Sequence, residues 1–167
     1  MENNKEKGGT ANDQVHITRV FDAPRELVFK AWTDPEHLLK WYAPTGCSIS
    51  FPQIDMKNGG SFLSCIVIPN GKECWCKGIY KEVLYPELIV HTMAVSDEHG
   101  NLISAEDAGM DPEWPEETTL TITFEDLDGK TMLILHQTVS EALAKRTGAY
   151  PSWLIMFDRL ADLLKEN

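Results

Sequence analysis

The segment PSWLIMFDRLADLLK, residues 151–165, is the one long amphipathic helix in the chain, and it closes it. Trp153, Phe157, Leu160 and Leu164 recur at i, i+4, i+7 and i+11, flanked by Met156 and Leu163, so one side of the predicted helix is continuously apolar. Asp158, Arg159, Asp162 and Lys165 occupy the other side. A stripe this wide needs a large apolar partner surface, and nearly everything before it reads as β-structure.

Working back from that helix, segments near Thr131–Val139, Thr118–Glu125, Glu87–Ser96, Glu73–Leu84, Ser61–Ile68 and Cys47–Met56 are rich in Ile, Val, Thr and aromatic residues. Asp126–Gly129, Tyr85-Pro86, Asn70-Gly71 and Asn58-Gly59-Gly60 separate neighbours by hairpin-length connections. Strands joined so tightly run antiparallel. Thr119, Thr121 and Thr123 alternate with Leu120, Ile122 and Phe124, the pattern of a sheet with one wet face. At the start, Val15–Phe21 reads as a first strand, followed by two short helices near Pro24–Trp32 and Pro35–Trp41. Asp34 suits the N-cap of the second and Pro35 its first turn. The expected class is α+β: a curved antiparallel sheet of six to seven strands around a long C-terminal helix, with two short helices after strand 1. Such a layout encloses a cavity more readily than it builds a catalytic crevice.

Length and charge narrow the function. A chain of 167 residues suits one domain, expected over residues 14–167, burying roughly two-thirds of its unfolded surface. Residues 1–13, MENNKEKGGTAND, are polar and read as a disordered tail with no apolar signal-peptide region, so a cytoplasmic location is expected. A net charge of −11 with no Lys/Arg cluster argues against nucleic acid and against anionic membrane surfaces. No apolar run approaches a membrane span. A monomer or weak dimer is expected.

The four cysteines sit at 47, 65, 74 and 76. If Asn70-Gly71 forms a two-residue hairpin loop, Cys65 faces Cys76 and Val67 faces Cys74. Alternation then gathers Cys65, Cys74 and Cys76 on an inward face with Leu63, Val67, Gly78 and Tyr80, leaving Ser64, Glu73, Trp75, Lys77 and Lys81 outside. Three clustered thiols permit a zinc site or a Cys65–Cys76 disulfide. The spacing matches no common zinc module, however, and the expectation is small buried residues with reduced thiols, no metal and no cofactor.

One connection is long. Ser96–Glu117 holds eight carboxylates and no Lys or Arg, yet also Leu102, Ile103, Met110 and Trp114. It reads either as a lid or partner-contact surface, or as a loop packing its few apolar residues on the sheet edge.

Several runs together resemble a known family. Phe21-Asp22-Ala23-Pro24 with Val28-Phe29-Lys30-Ala31-Trp32, Trp41-Tyr42-Ala43-Pro44, Gly78-Ile79-Tyr80-Lys81-Glu82-Val83, Pro86-Glu87-Leu88-Ile89-Val90, and the Gly148…Trp153…Leu160 pattern are similar to the START-like (SRPBCC) superfamily. Within it they resemble the homologues of the activator of heat-shock-protein ATPase, over about residues 14–165. The resemblance implies a helix-grip fold whose members commonly hold hydrophobic molecules between sheet and helix. It implies as partner a hydrophobic or amphipathic, lipid-like small molecule, with wall residues Tyr80, His91, Met93, Phe124, His136, Trp153, Met156 and Phe157, and Trp114 from the long loop. Two alternatives accompany it. One is a cochaperone-type activator of a heat-shock ATPase, with a heat-shock chaperone as partner. The other is a cyclase- or hydrolase-type enzyme using His91, His136 and Glu82, although no nucleophile elbow, phosphate loop or HExxH helix is present.

Overall fold

A computed structural model describes residues 13–166. The expected tail therefore lies, except for Asp13, outside the described residues. Seven strands form one antiparallel sheet: β1 (Gln14–Phe21), β2 (Ser48–Ile54), β3 (Ser61–Val67), β4 (Glu73–Leu84), β5 (Leu88–Ser96), β6 (Glu117–Leu127) and β7 (Lys130–Ser140). Their spatial order is β1-β7-β6-β5-β4-β3-β2, so each strand from β2 to β7 lies beside the next in sequence, and β1 pairs with the last strand rather than the second. The chain crosses from one sheet edge to the other through helices α1 (Arg25–Thr33) and α2 (Pro35–Trp41). Helix α3 (Glu141–Thr147) leads into α4 (Ala149–Lys165), which lies in the curve of the sheet. This is the helix-grip arrangement.

Local chemistry explains the helix boundaries. Asp34 caps α2, its carboxylate accepting the Glu36 N–H at 3.0 Å, and Pro35 opens the first turn. Ser140 caps α3 by accepting the Leu143 N–H at 3.1 Å. Gly148, at φ 91°, ends α3 in the left-handed conformation and turns directly into α4. Helix α3 was not expected from the sequence.

The core sits between sheet and helices. Trp153, Met156, Phe157, Leu160, Leu163 and Leu164 of α4 are all buried, as their spacing predicts. They meet Val15, Ile17 and Phe21 of β1, Leu120, Ile122 and Phe124 of β6, and Leu133 and Leu135 of β7. Fully burying side chains of this size contributes about 1.5–3 kcal/mol each.

The β3–β4 hairpin departs from expectation by one residue. Ile68 N–H donates to Lys72 O at 3.1 Å, so Pro69, Asn70 and Gly71 form a three-residue loop, with Gly71 at φ 91°. Cys65 therefore pairs with Trp75, and Ser64 with Cys76. A one-residue slip exchanges the two faces of a strand. Phe62 and Ser64 turn inward, while Leu63, Cys65 and Val67 turn outward. The expected three-thiol face is not formed: Cys65 is buried on the outer face, and Cys74 and Cys76 lie on the other. All four cysteines are free, and no group of three or more His, Cys, Asp or Glu side chains suited to a metal occurs among the described residues.

The Ser96–Glu117 loop has structure of its own. Ser96 bridges Leu102, and turns follow through Gly109. Lys77 Nζ donates to Gly100 O at 2.9 Å, and Arg146 of α3 bonds Asp111 at 3.0 Å and Glu113 at 3.2 Å. Trp114 is half-buried against the core, while Leu102 is exposed. No helix among the described residues is long and apolar enough to cross a membrane.

Candidate functional site

Inward residues of the central strands converge on the space beneath α1 and α2. Tyr80 of β4 and His91 of β5 are cross-strand partners, so their rings share a face, 5.4 Å apart at their centroids. Phe62 of β3 lies 5.4 Å from Tyr80 and 5.5 Å from His91. Gly78 makes room for that ring: a Cβ there would fall 2.6 Å from Phe62 and 1.9 Å from the Thr92 carbonyl oxygen. Across the gap, Trp32 of α1 and Tyr42 after α2 stand 6.0 Å apart, and Phe51 of β2 lies 6.3 Å from Tyr42.

These rings, with Leu38 and Ile89, enclose a void of about 10 Å³. That is about the space one water requires. The gap between sheet and helix is filled by the protein's own side chains, and a larger occupant enters only if part of the wall moves. Tyr42 and Phe51 are the half-buried members of that wall, and Phe51 stands on edge strand β2, where the pairing with β3 is irregular between Ser50 and Gln53. Pro52 follows it and cannot donate to a ladder.

The void is aromatic but not apolar throughout. Trp32 is buried, and its indole Nε1, shielded even from a water-sized contact, has no hydrogen-bond partner among the described residues. No bond is made by the hydroxyls of Tyr42 or Tyr80 among the described residues. His91 is buried, with Nδ1 3.0 Å from the Thr92 carbonyl. A carbonyl only accepts, so Nδ1 carries the proton and donates, leaving Nε2 as a lone-pair acceptor. Burial pushes His91 down to about 4, partly opposed by the Thr92 bond, so the ring is neutral at pH 7. Burial also raises the phenols of Tyr42 and Tyr80 well above their ordinary range, and the Cys76 thiol to about 12. Every titratable group in this space is held uncharged.

Of the residues expected at the site, Tyr80 and His91 line the void. Met93 is half-buried two residues along β5 on the same face as His91. Phe124 packs between Phe29, at 5.1 Å, and Trp32, at 6.3 Å. Trp153, Met156 and Phe157 form the α4 wall of the neighbouring core, and Trp153 Nε1 donates to Gln137 Oε1 at 3.1 Å. Trp114 packs at the core margin and does not line the void.

His136 is placed elsewhere. It pairs with Thr121 and His16, on the outer face of the sheet, where it stacks on His16 at 4.5 Å and its Nε2 lies 2.7 Å from Gln14 Oε1. Alternation explains this, because Leu135 and Gln137 face inward and the residue between them must face out. Glu82 is exposed. The two histidines and the carboxylate considered for acid–base work are therefore not brought together.

Sequence reasoning missed Trp32, Leu38, Tyr42, Phe51, Phe62 and Ile89 as void residues. Tyr42 was legible as a buried residue ending α2, though not as part of this space. Phe62 was hidden by the hairpin register, which had placed Leu63 and Cys65 inside instead.

The sequence model of the activator of Hsp90 ATPase homolog 1-like protein family matches residues 22–165. No curated protein matches. Among solved structures, a protein from Chromobacterium violaceum is 24% identical, with a TM-score of 0.74 over 92% of this chain and 97% of its own. A solution structure from Arthrobacter aurescens is 19% identical, with a TM-score of 0.77 over 96% of this chain and 91% of its own. The AHSA1 protein from Silicibacter pomeroyi is 20% identical, with a TM-score of 0.71 over 92% of this chain and 99% of its own. At these identities the structural matches speak to the fold alone. With the family pattern running through most of the chain, from the end of β1 to the end of α4, the chain belongs to the activator of Hsp90 ATPase homolog 1-like protein family.

Proposed function

We propose that this protein binds a small hydrophobic or amphipathic molecule in the gap between the sheet and α4, beneath α1 and α2. One observation carries the proposal. The void there is walled by aromatic rings yet also lined by Tyr42, Tyr80 and His91, whose Nδ1 is committed to the Thr92 carbonyl so that Nε2 is left as an acceptor. Polar groups around an enclosed space are satisfied by water or by a ligand, and an aromatic wall with a few polar groups suits a ligand that has both apolar and polar parts. Entry requires displacement of the wall at Phe51, so the ligand is held by a site that closes on it. Native mass spectrometry of protein purified without detergent, followed by extraction, tests this. A stoichiometric small-molecule adduct is expected; a protein that is empty and also ignores hydrophobic fluorescent probes refutes it.

A second reading has its own support. The family is described by an activator of a chaperone ATPase, and the Ser96–Glu117 loop presents eight carboxylates on a chain of net charge −11. Such a surface suits docking on a basic chaperone face. Stimulation of a matching chaperone's ATPase, weakening as salt rises, is the expected result. No stimulation at saturating protein would exclude this role.

A further inference from the structure

We infer that the ligand of the gap carries an uncharged polar end that both donates and accepts a hydrogen bond, an alcohol or phenol rather than a carboxylate, phosphate or ammonium. The inference rests on the proposed binding role and specifies its chemistry.

The hydrogen-bonding groups left over in the gap are complementary in kind. Because Nδ1 of His91 is committed to the Thr92 carbonyl, its Nε2 offers only an acceptor. The hydroxyls of Tyr42 and Tyr80, which line the same void, donate or accept. A hydroxyl donates its hydrogen to Nε2 and accepts from a Tyr phenol. A carboxylate, ionised at pH 7, sets its lone pairs against Nε2 and has no proton to give it, and a phosphate brings at least one negative charge. An ammonium has no lone pair with which to accept from a phenol.

Charge points the same way. The void is lined by Trp, Leu, Tyr, Phe, Ile and a neutral His, with no Lys, Arg, Asp or Glu. An ion brought in would lose its hydration with no counter-charge to replace it, at a cost of several kcal/mol. The aromatic rings around it accept a flat or alicyclic hydrocarbon body.

The test uses four molecules sharing one skeleton: naphthalene, 2-naphthol, 2-naphthoate and 2-naphthylmethylammonium, titrated at pH 7 by calorimetry into the full chain. We expect 2-naphthol to bind about tenfold more tightly than naphthalene, the gain of one to two satisfied hydrogen bonds. We expect both ions to bind at least tenfold more weakly than naphthalene. Tyr80→Phe and His91→Leu should each shrink the ratio of 2-naphthol to naphthalene affinity to below about threefold. If either variant fails to fold, the wild-type ranking of the four still decides. Equal binding of naphthalene, 2-naphthol and 2-naphthoate, or an advantage untouched by both variants, overturns the head-group inference while leaving a hydrophobic site standing. Failure of all four to bind overturns the binding role itself, and the inference with it.

Discussion

His91 is the residue on which the site's electrostatics turn. Burial holds it at about 4, against an ordinary value of 6.5. Between those limits the unfolded chain takes up a proton that the folded protein refuses. The stability tied to neutral His91 is whole above pH 6.5, falls as pH drops through the window, and levels off below 4. At pH 5 the loss is about 2 kcal/mol. Urea unfolding at pH 7 and pH 5 should show a fall in stability that is smaller by about that amount in His91→Gln; identical falls would contradict the assignment. Gly78 is the second decisive residue. In Gly78→Ala the new methyl would lie 1.9 Å from the Thr92 carbonyl oxygen and 2.6 Å from the Phe62 ring, one of them backbone. A destabilisation of about 3 kcal/mol is expected, at the upper end of overpacking costs, with altered ring chemical shifts for Phe62. A neutral substitution would mean the strand relaxes freely.

Among the elements, edge strand β2 is the movable one. It is paired on one side only, and its ladder is irregular on either side of Phe51 and Pro52. Phe51→Ala removes one ring from the wall of the void, at a cost of about 2 kcal/mol, less than for a fully buried Phe. Cavities lined by apolar groups take up aromatic probes. Naphthalene should therefore bind Phe51→Ala about tenfold more tightly and enter faster than in the wild type; unchanged affinity and rate would place the gate elsewhere. The elements themselves were largely legible. The α4 stripe at Trp153, Phe157, Leu160 and Leu164, the Asp34-Pro35 start of α2, and the Leu120–Phe124 alternation each carry their structure locally. The wall of the site was less so, because it depends on parity between strands. Asn70-Gly71 signals a turn but not whether Pro69 belongs to it, and that single residue decides whether Phe62 or Cys65 faces inward. His136 was misplaced although the alternation of β7 was legible: Leu133 and Leu135 take the inner face, which sends the residue next to Leu135 outward. Helix α3 escaped notice because it follows β7 without a break, the last residue of the strand, Ser140, serving also as its N-cap.

At the scale of the molecule, the fold wraps a sheet around one helix and fills the space between with rings. A filled gap explains how the chain gains a continuous core, while Tyr42, Tyr80 and His91 line a small void left within it. The acidic loop is a separate feature, tied across the sheet edge to α3 through Arg146. These are exposed ion pairs, so Arg146→Ala should change global stability by less than about 1 kcal/mol. It should nevertheless speed hydrogen exchange selectively at backbone amides 105–116; uniform exchange with that of the wild type would show that the loop holds its shape without the pair.

The account places ligand binding inside the gap and not on the sheet's outer face, and the histidines report on both. Nitrogen-detected imidazole spectra, recorded while 2-naphthol is added to the wild-type protein, compare His91 within the gap with His16 and His136 outside it. The account predicts that His91 begins as the Nδ1–H tautomer and that its Nε2 resonance shifts saturably, while both outer histidines stay still. A shift confined to His16 and His136, or no shift in any of the three at saturating probe, would contradict it.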